Sequence, residues 1–292
     1  MSKTVKHDYD LLVIGAGAAG SSAATTVDKE GKRVGLVECS MLGGTCLNYG
    51  CDPTKTLLHI ANLLYQARHA KRFGLRIPEA TFEWADVLAW VQQVVTRLRD
   101  GTPEEARAGL ARQGIELLEG EAMFLSPHEI SVSGTTVSAS RIIIATGSET
   151  LVPPVEGLNE AGYITNIHAV SIPALPHRLA IVGGGAIGIE FAQMFHRFGA
   201  DVTVLERSPT MLDKEDRELA DRLCTLLTRE GMHLEANAEL KRVQREGKGK
   251  RLAIRCGERE EELIVDEILM AVGRRASFEG LHLGPGGKHH TF

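Results

Sequence analysis

One pattern occurs twice in this chain of 292 residues. An apolar run, Tyr9 to Ile14, enters Gly15-Ala16-Gly17-Ala18-Ala19-Gly20 and continues as an alanine-rich helical stretch. A second run, Arg33 to Val37, then ends at Glu38. Leu179 to Val182, Gly183-Gly184-Gly185-Ala186-Ile187-Gly188, Ile189 to Phe198 and Asp201 to Leu205 repeat that order and end at Glu206. In both copies the acid follows the first glycine by 23 residues, and Gly31 and Gly199 each sit 16 residues past it. Packing alone does not hold glycines and an acid in register over two segments. Strand, glycine turn, helix and acid together form a dinucleotide fingerprint. The first glycine makes the tight turn, the second lets backbone approach a pyrophosphate, and the third lets helix pack on strand. The helix N-terminus faces the phosphates and the carboxylate takes ribose hydroxyls. The expected fold is therefore α/β, with two Rossmann-like three-layer dinucleotide-binding domains.

Length and composition agree with two domains. The chain is 43% hydrophobic and 24% charged, ordinary for a soluble globular protein, and a net charge of −5 offers no basic field to nucleic acid. No apolar run reaches a membrane span, and the first residues lack the apolar core of a secretory signal, so a cytoplasmic protein without a membrane segment is expected.

Between the copies lies Leu42-Gly43-Gly44-Thr45-Cys46-Leu47-Asn48-Tyr49-Gly50-Cys51-Asp52-Pro53-Thr54-Lys55. On a regular helix five residues rise about 7.5 Å and turn two side chains ~140° apart, too far for an unstrained disulfide, so the backbone has to bend between Cys46 and Cys51. Gly50 and the Asn48-Tyr49 step supply the bend. Pro53 suits the first turn of a helix running through Leu57, Leu58, Ile60, Ala61 and Leu64. Open N–H groups and the dipole at a helix start favour thiolate over thiol, the setting of a redox pair. The alternatives are two buried thiols or half of a zinc site. Zinc asks for a second Cys/His pair at ligand spacing, which Cys39, Cys224 and Cys256 do not form, so no metal is expected.

Gly43-Gly44-Thr45-Cys46-x4-Cys51-x-Pro53-Thr54-Lys55 closely resembles the redox-active segment of the class I pyridine nucleotide-disulfide oxidoreductases, the family of dihydrolipoamide dehydrogenase, mercuric reductase and glutathione reductase. Asp52 departs from the pattern: it stands where those enzymes commonly carry an apolar residue and adds a negative charge beside the disulfide. Arg141 to Ser148 resembles the strand and turn closing the family's first FAD-binding block. The resemblance implies FAD on the first copy, held by Gly15, Gly17, Ala18, Ala19, Gly20, Glu38, Gly44, Thr45, Lys55, Thr146 and Gly147. It implies NAD(P)H on the second, held by Gly183, Gly185, Ile187, Gly188, Glu206 and Gly273. Glu206 favours NADH over NADPH, because a carboxylate bonds a free 2′-hydroxyl and repels a 2′-phosphate, while Arg207 beside it pulls the other way. By resemblance, hydride passes from nicotinamide to flavin, and electrons go on to the Cys46–Cys51 disulfide and to a small-molecule disulfide, dithiol or Hg(II) substrate. In that scheme Cys51 lies under the flavin as the charge-transfer thiolate and Cys46 exchanges with substrate. Lys55 reaches the flavin N5 region with Glu190 as its ion-pair partner.

The expected division is 1–152 for the FAD-binding domain with the disulfide, 153–273 for the NAD(P)-binding domain, and 274–292 for a return toward the first domain ending in an aberrant tail. The proline-punctuated stretch Pro153 to Pro176 is the linker. Lys55 to Arg72, Trp84 to Leu98 and Glu104 to Gln113 are expected helices, Ile115 to Ser140 a β-meander, and Arg245 to Lys250 a solvated hairpin tip. Intact family members go on to an Ala-x-Gly-Asp-type turn and a C-terminal dimerisation domain that lends a His-Glu pair to the partner subunit of a homodimer. Neither is found here, and His289 and His290 come too early. The expectation is a C-terminally truncated copy of low activity. Two readings compete with it: a short thioredoxin-reductase-like flavoprotein, which would carry a close Cys-x-x-Cys in its nicotinamide domain, and a vestigial FAD/NAD-binding protein without catalysis.

Overall fold

The computed structural model describes residues 6–99 and 101–283. These form two compact units, one of 6–52, 94–149 and 276–283, the other of 53–93 and 150–275.

The chain runs β1 (Tyr9–Ile14), α1 (Ala18–Asp28), β2 (Val34–Glu38), α2 (Gly44–Tyr49), α3 (Cys51–Arg68), α4 (Trp84–Leu98), α5 (Pro103–Arg112), β3 (Ile115–Glu119), β4 (Ala122–Ser126), β5 (Glu129–Val132), β6 (Thr135–Ile144) and β7 (Ser148–Thr150). The first unit is built on one sheet of order β3-β2-β1-β6-β5-β4. Its first four strands are parallel. The ten-residue β6 pairs with β5 antiparallel through its first half and with β1 parallel through its second. Side chains of β1 and β2 alternate between two cores, as the strand period of two requires. Leu11, Val13, Val34 and Leu36 meet Ala24 of α1 and Leu110 of α5. Leu12, Ile14 and Val37 meet Ile130, Val132 and Val137 of the meander. Helices, sheet and meander make the three layers. Leu281 is buried in the meander core, so the chain returns to this unit after leaving the second one. The break before α5 is a capping box: Thr102 accepts from the Glu105 N–H, Glu105 accepts from the Thr102 N–H, and Pro103 opens the helix.

The chain continues with α6 (Leu158–Ala161), α7 (Asn166–Ala169), β8 (Arg178–Val182), α8 (Ala186–Arg197), β9 (Asp201–Glu206), α9 (Arg217–Glu230), β10 (His233–Ala236), β11 (Ala238–Glu246), β12 (Gly249–Cys256), β13 (Arg259–Val265), β14 (Glu267–Met270) and β15 (Arg274–Ala276). The second unit repeats the first: a parallel sheet of order β10-β9-β8-β14 and a separate antiparallel sheet, β11-β12-β13. From that meander Leu240, Val243, Leu252 and Ile254 pack on Ala180, Val182, Ile268 and Met270. On α8 the side chains of Phe191, Met194 and Phe195 are fully buried.

Residues 53–93 pack in the second unit, where Arg197 ties α3 to the end of α8. Its guanidinium lies 4.4 Å over the Tyr65 ring and donates to Asn62 Oδ1 at 3.1 Å, and Arg68 donates to the Arg197 carbonyl at 3.0 Å. A well-buried ion pair with Glu230 at 3.0 Å fixes that guanidinium from the other side. The stretch expected as linker carries two short helices, α6 and α7. The hairpin tip is solvated only at its turn, since Lys250 is buried and pairs with Glu267. The tail from Gly284 to Phe292, with His289 and His290, lies outside the described residues. No described helix is long and apolar enough to cross a membrane.

Candidate active site

The two glycine turns are built alike, bond for bond. Gly15 N–H donates to the Val37 carbonyl and Gly183 N–H to the Leu205 carbonyl, both at 2.8 Å. Both glycines hold left-handed backbone, φ 106° and 116°, which side chains rarely adopt. The third glycines sit against the first: a Cβ on Gly20 would lie 1.8 Å from the Gly15 oxygen, and one on Gly188 would lie 1.9 Å from the Gly183 oxygen. The acids brace the turns from the next strand. Glu38 accepts from Ala16 N–H at 2.8 Å and from Ser40 N–H at 2.9 Å. Glu206 accepts from Gly184 N–H and Ser208 N–H, each at 2.6 Å. A carboxylate has about four lone-pair sites, so each acid keeps capacity for a ribose hydroxyl. A serine two residues past each acid was a further matching sequence signal, which a comparison ending at the acids does not reach.

Gly17 and Gly185 are the N-caps of α1 and α8, and neither cap makes a side-chain bond to its helix, so the first N–H groups stay open to an anion. Ala18 and Ala19 form the first turn of α1, and Ile187 lies in the first turn of α8. Beside the second turn is a cavity of about 600 Å³ lined by Gly183, Gly185, Ile187, Glu206, Arg207, Lys214 and Gly273 among others. Lys214 was not anticipated. In the first unit Thr146 and Gly147 follow β6, where Gly147, at φ 73°, accepts from Ser277 N–H through its carbonyl.

The cysteine segment is seated on the first of these turns. Gly43 N–H donates to the Ala16 carbonyl at 3.0 Å, and a Cβ on Gly44 would lie 2.7 Å from the Gly17 Cα. Helix α2, which carries Thr45 and Cys46, therefore starts against the dinucleotide turn. It stops at Gly50, whose backbone (φ −126°, ψ −114°) breaks the helix before α3 restarts at Cys51. The break brings the two side chains into hydrogen-bond contact as free thiols.

The helix-start expectation of thiolate does not hold at Cys46. Its pKa is pushed up to about 11, first by the hydrogen bond with Cys51, then by burial and by the charges of Cys51 and Asp52. The six-residue α2 has only a short dipole to set against these.

Sequence reasoning missed the brace under the pair. Asn48 is buried. Its amide donates to the carbonyls of Leu42 at 3.0 Å and Gly44 at 2.9 Å, and its Oδ1 accepts from Arg99 at 2.5 Å. An asparagine in such a loop suits an ordinary turn equally well, so the sequence carried no signal for this role. Asn48→Ala would leave those groups unsatisfied. It is expected to cost about 1–3 kcal/mol in thermal unfolding and to slow closure of the Cys46–Cys51 disulfide in a glutathione redox buffer.

In the second unit Lys55 pairs with Glu190 across α3 and α8, both side chains partly exposed. Such a pair contributes at most about 1 kcal/mol, so its value is positional. Among the described residues no group of three or more His, Cys, Asp and Glu gathers to hold a metal.

Comparison with known proteins matches this architecture. The model of the pyridine nucleotide-disulphide oxidoreductase family matches residues 9–288. A dihydrolipoyl dehydrogenase of Thermus scotoductus is 39% identical over 285 residues, covering 96% of this chain and 60% of that protein. A mercuric reductase of Staphylococcus aureus is 33% identical over 280 residues, covering 96% and 51%. The solved HOCl-induced flavoprotein disulfide reductase RclA from Escherichia coli superposes with a TM-score of 0.81 at 34% identity, covering 94% of this chain and 58% of that one. The chain thus spans little more than half the length of the relatives it matches. With two braced glycine turns, a thiol pair seated on the first of them and a family match along nearly its whole length, the chain belongs to the pyridine nucleotide-disulphide oxidoreductase family.

Proposed function

We propose that the chain passes electrons from a reduced nicotinamide dinucleotide, through FAD, to the Cys46–Cys51 pair and on to a small-molecule disulfide or Hg(II). The observation that supports this best is the seating of the thiol pair on the first glycine turn, Gly43 bonded to Ala16 and Gly44 packed on Gly17. In both units the residues fit a dinucleotide: an uncapped helix start, a glycine at the cap, and an acid with lone pairs to spare. A Cβ on Gly185 would meet nothing within 4 Å, which marks open space at the point where a pyrophosphate would approach.

The first turn, through Gly15, Gly17, Gly20 and Glu38, would hold FAD, which would supply the relay of electrons between nicotinamide and thiols. The chain's own residues do the rest. Glu38 and Glu206 hold the turns in shape, Asn48 holds the cysteine loop, and Lys55, steadied by Glu190, supplies a cation one turn beyond Cys51 on α3. Cys46 would exchange with substrate and Cys51 would close the disulfide.

NADH is the proposed donor, because Glu206 places a carboxylate at the end of β9, although Arg207 and Lys214 line the same cavity. Titration by thermal shift is expected to show NADH binding at least about tenfold tighter than NADPH, the equivalent of roughly 1.4 kcal/mol; equal affinities would place the choice on Arg207 and Lys214. The reading as a whole is tested by purifying the chain with FAD. Stoichiometric flavin absorbance that bleaches with NADH supports it, and a protein that retains neither nucleotide contradicts it.

A further inference from the structure

Glu190 and Arg197 lie seven residues apart on α8, and their partners Lys55 and Asn62 lie seven apart on α3, so each contact spans the same 135 residues of sequence. Seven residues are close to two helical turns and about 10.5 Å of rise, which puts both contacts on one face of each helix. The equal offset means that α3 and α8 run past each other in the same direction and in register. The two contacts are unequal in strength. Lys55 and Glu190 have side chains 58% and 38% exposed, and a pair so open to water does not by itself hold two helices in register. Arg197 and Glu230 are only 11% and 15% exposed. There the guanidinium donates through Nε and Nη2 to the two Glu230 oxygens, at 3.1 and 3.0 Å, while Nη1 donates to Asn62 and the planar face covers the Tyr65 ring. The carbonyl of Arg197, left open at the end of α8, accepts from Arg68.

We propose that Arg197 is a positioning residue for Lys55: it locks α3 on α8, with Glu230 of α9 behind it, and so keeps the Lys55 ammonium against Glu190. The proposal rests on the reading of Lys55 as the cation that serves the thiol pair. A helix is stiff over two turns, so a shift of α3 at Asn62 is carried to Lys55, where the exposed pair is too weak to resist it. A lysine at 197 would keep a cation for Glu230, yet it has neither the fork that meets two carboxylate oxygens and an amide oxygen together nor the plane that stacks on a ring.

The test reads Lys55 itself, in the full chain without added nucleotide. Lysines are acylated with a dilute N-hydroxysuccinimide ester, and the rate at Lys55 is followed by mass spectrometry. Two lysines serve as references: Lys248, in the exposed turn between β11 and β12, and Lys250, buried and paired with Glu267. An amine engaged by a carboxylate acylates more slowly than an open one, by about fivefold at the limit for a partly exposed pair, and Glu190→Gln sets that ceiling for Lys55. Arg197→Lys is expected to raise the Lys55 rate to the same ceiling relative to Lys248, with Lys250 still protected. Asn62→Ala leaves the Glu230 pair in place and should raise the rate part of the way. Because Asn62 is exposed, this variant decides the question if Arg197→Lys folds poorly. Lys55 as slow as in the wild type in the folded variants, or Lys250 accelerating in step with it, overturns the proposal. With FAD supplied, NADH-driven opening of the Cys46–Cys51 disulfide should slow by a similar factor in Arg197→Lys and Glu190→Gln. If the wild type opens no disulfide at all, the redox reading fails, while the acylation rates still decide whether Arg197 places Lys55.

Discussion

Alkylation of Cys46 in the reduced chain is expected to be slow at pH 7 and to accelerate about tenfold with each pH unit until it levels near 11. The sign follows from the direction of the shift. A thiol whose pKa is raised keeps its proton over a wider range, and only the thiolate attacks iodoacetamide. With the proton held to about 11, roughly one Cys46 in 10⁴ is thiolate at pH 7, so the total span approaches four decades. The measurement is mass-spectrometric: rate of carbamidomethylation at Cys46 against pH, with Cys39, Cys224 and Cys256 as internal comparisons, since burial also pushes those three thiols up. A plateau already reached near pH 8 would show that the helix start wins after all. In catalysis such a thiol needs a base, and general-base help of this kind is typically worth about 10²–10⁴-fold.

The second large effect separates two glycines three residues apart. Gly188→Ala is expected to destabilise the second unit by about 3 kcal/mol or more, because its Cβ would lie 1.9 Å from the Gly183 oxygen and both partners are backbone within one strand–helix crossing. Gly185→Ala should leave the melting temperature nearly unchanged, since no atom lies within 4 Å of that Cβ. It should instead weaken NADH binding by about tenfold or more, because a methyl group enters the space a pyrophosphate would take. Thermal unfolding and nucleotide titration on both variants check the pair. Equal stability of the two would contradict the packing role assigned to Gly188.

What was legible in the sequence was legible because particular residue types answer backbone demands. Gly15 and Gly183 stand at left-handed positions, Gly20 and Gly188 at contacts that admit no Cβ, and Gly50 at the break between two helices. Each requirement leaves glycine at a recognisable spacing. Glu38 and Glu206 were legible as strand-end acids, and their bonds from Ser40 and Gly184 backbone show them bracing the turns. The division of 53–93 was not legible. An apolar stripe on α3 says that one face is buried and is silent on its partner, and the partner is settled by Tyr65, Asn62 and Arg68 meeting Arg197. The acidity of Cys46 was not legible either: it depends on how close Cys51 comes and on a neighbouring Asp52, and both act through space. Lys250 lay in a charged, turn-forming stretch, and nothing local marked it as the member that turns inward to Glu267.

The central claim is that nicotinamide electrons reach the Cys46–Cys51 pair. The most direct measurement supplies the air-oxidised chain with FAD and limiting NADH under anaerobic conditions, quenches with an alkylating reagent under denaturing conditions, and maps the labelled cysteines by mass. The account predicts label appearing together at Cys46 and Cys51, two thiols for each NADH consumed, with Cys39, Cys224 and Cys256 labelled equally with and without NADH. NADH consumed while Cys46 and Cys51 stay linked, or a chain in which those two are never linked to begin with, would contradict it.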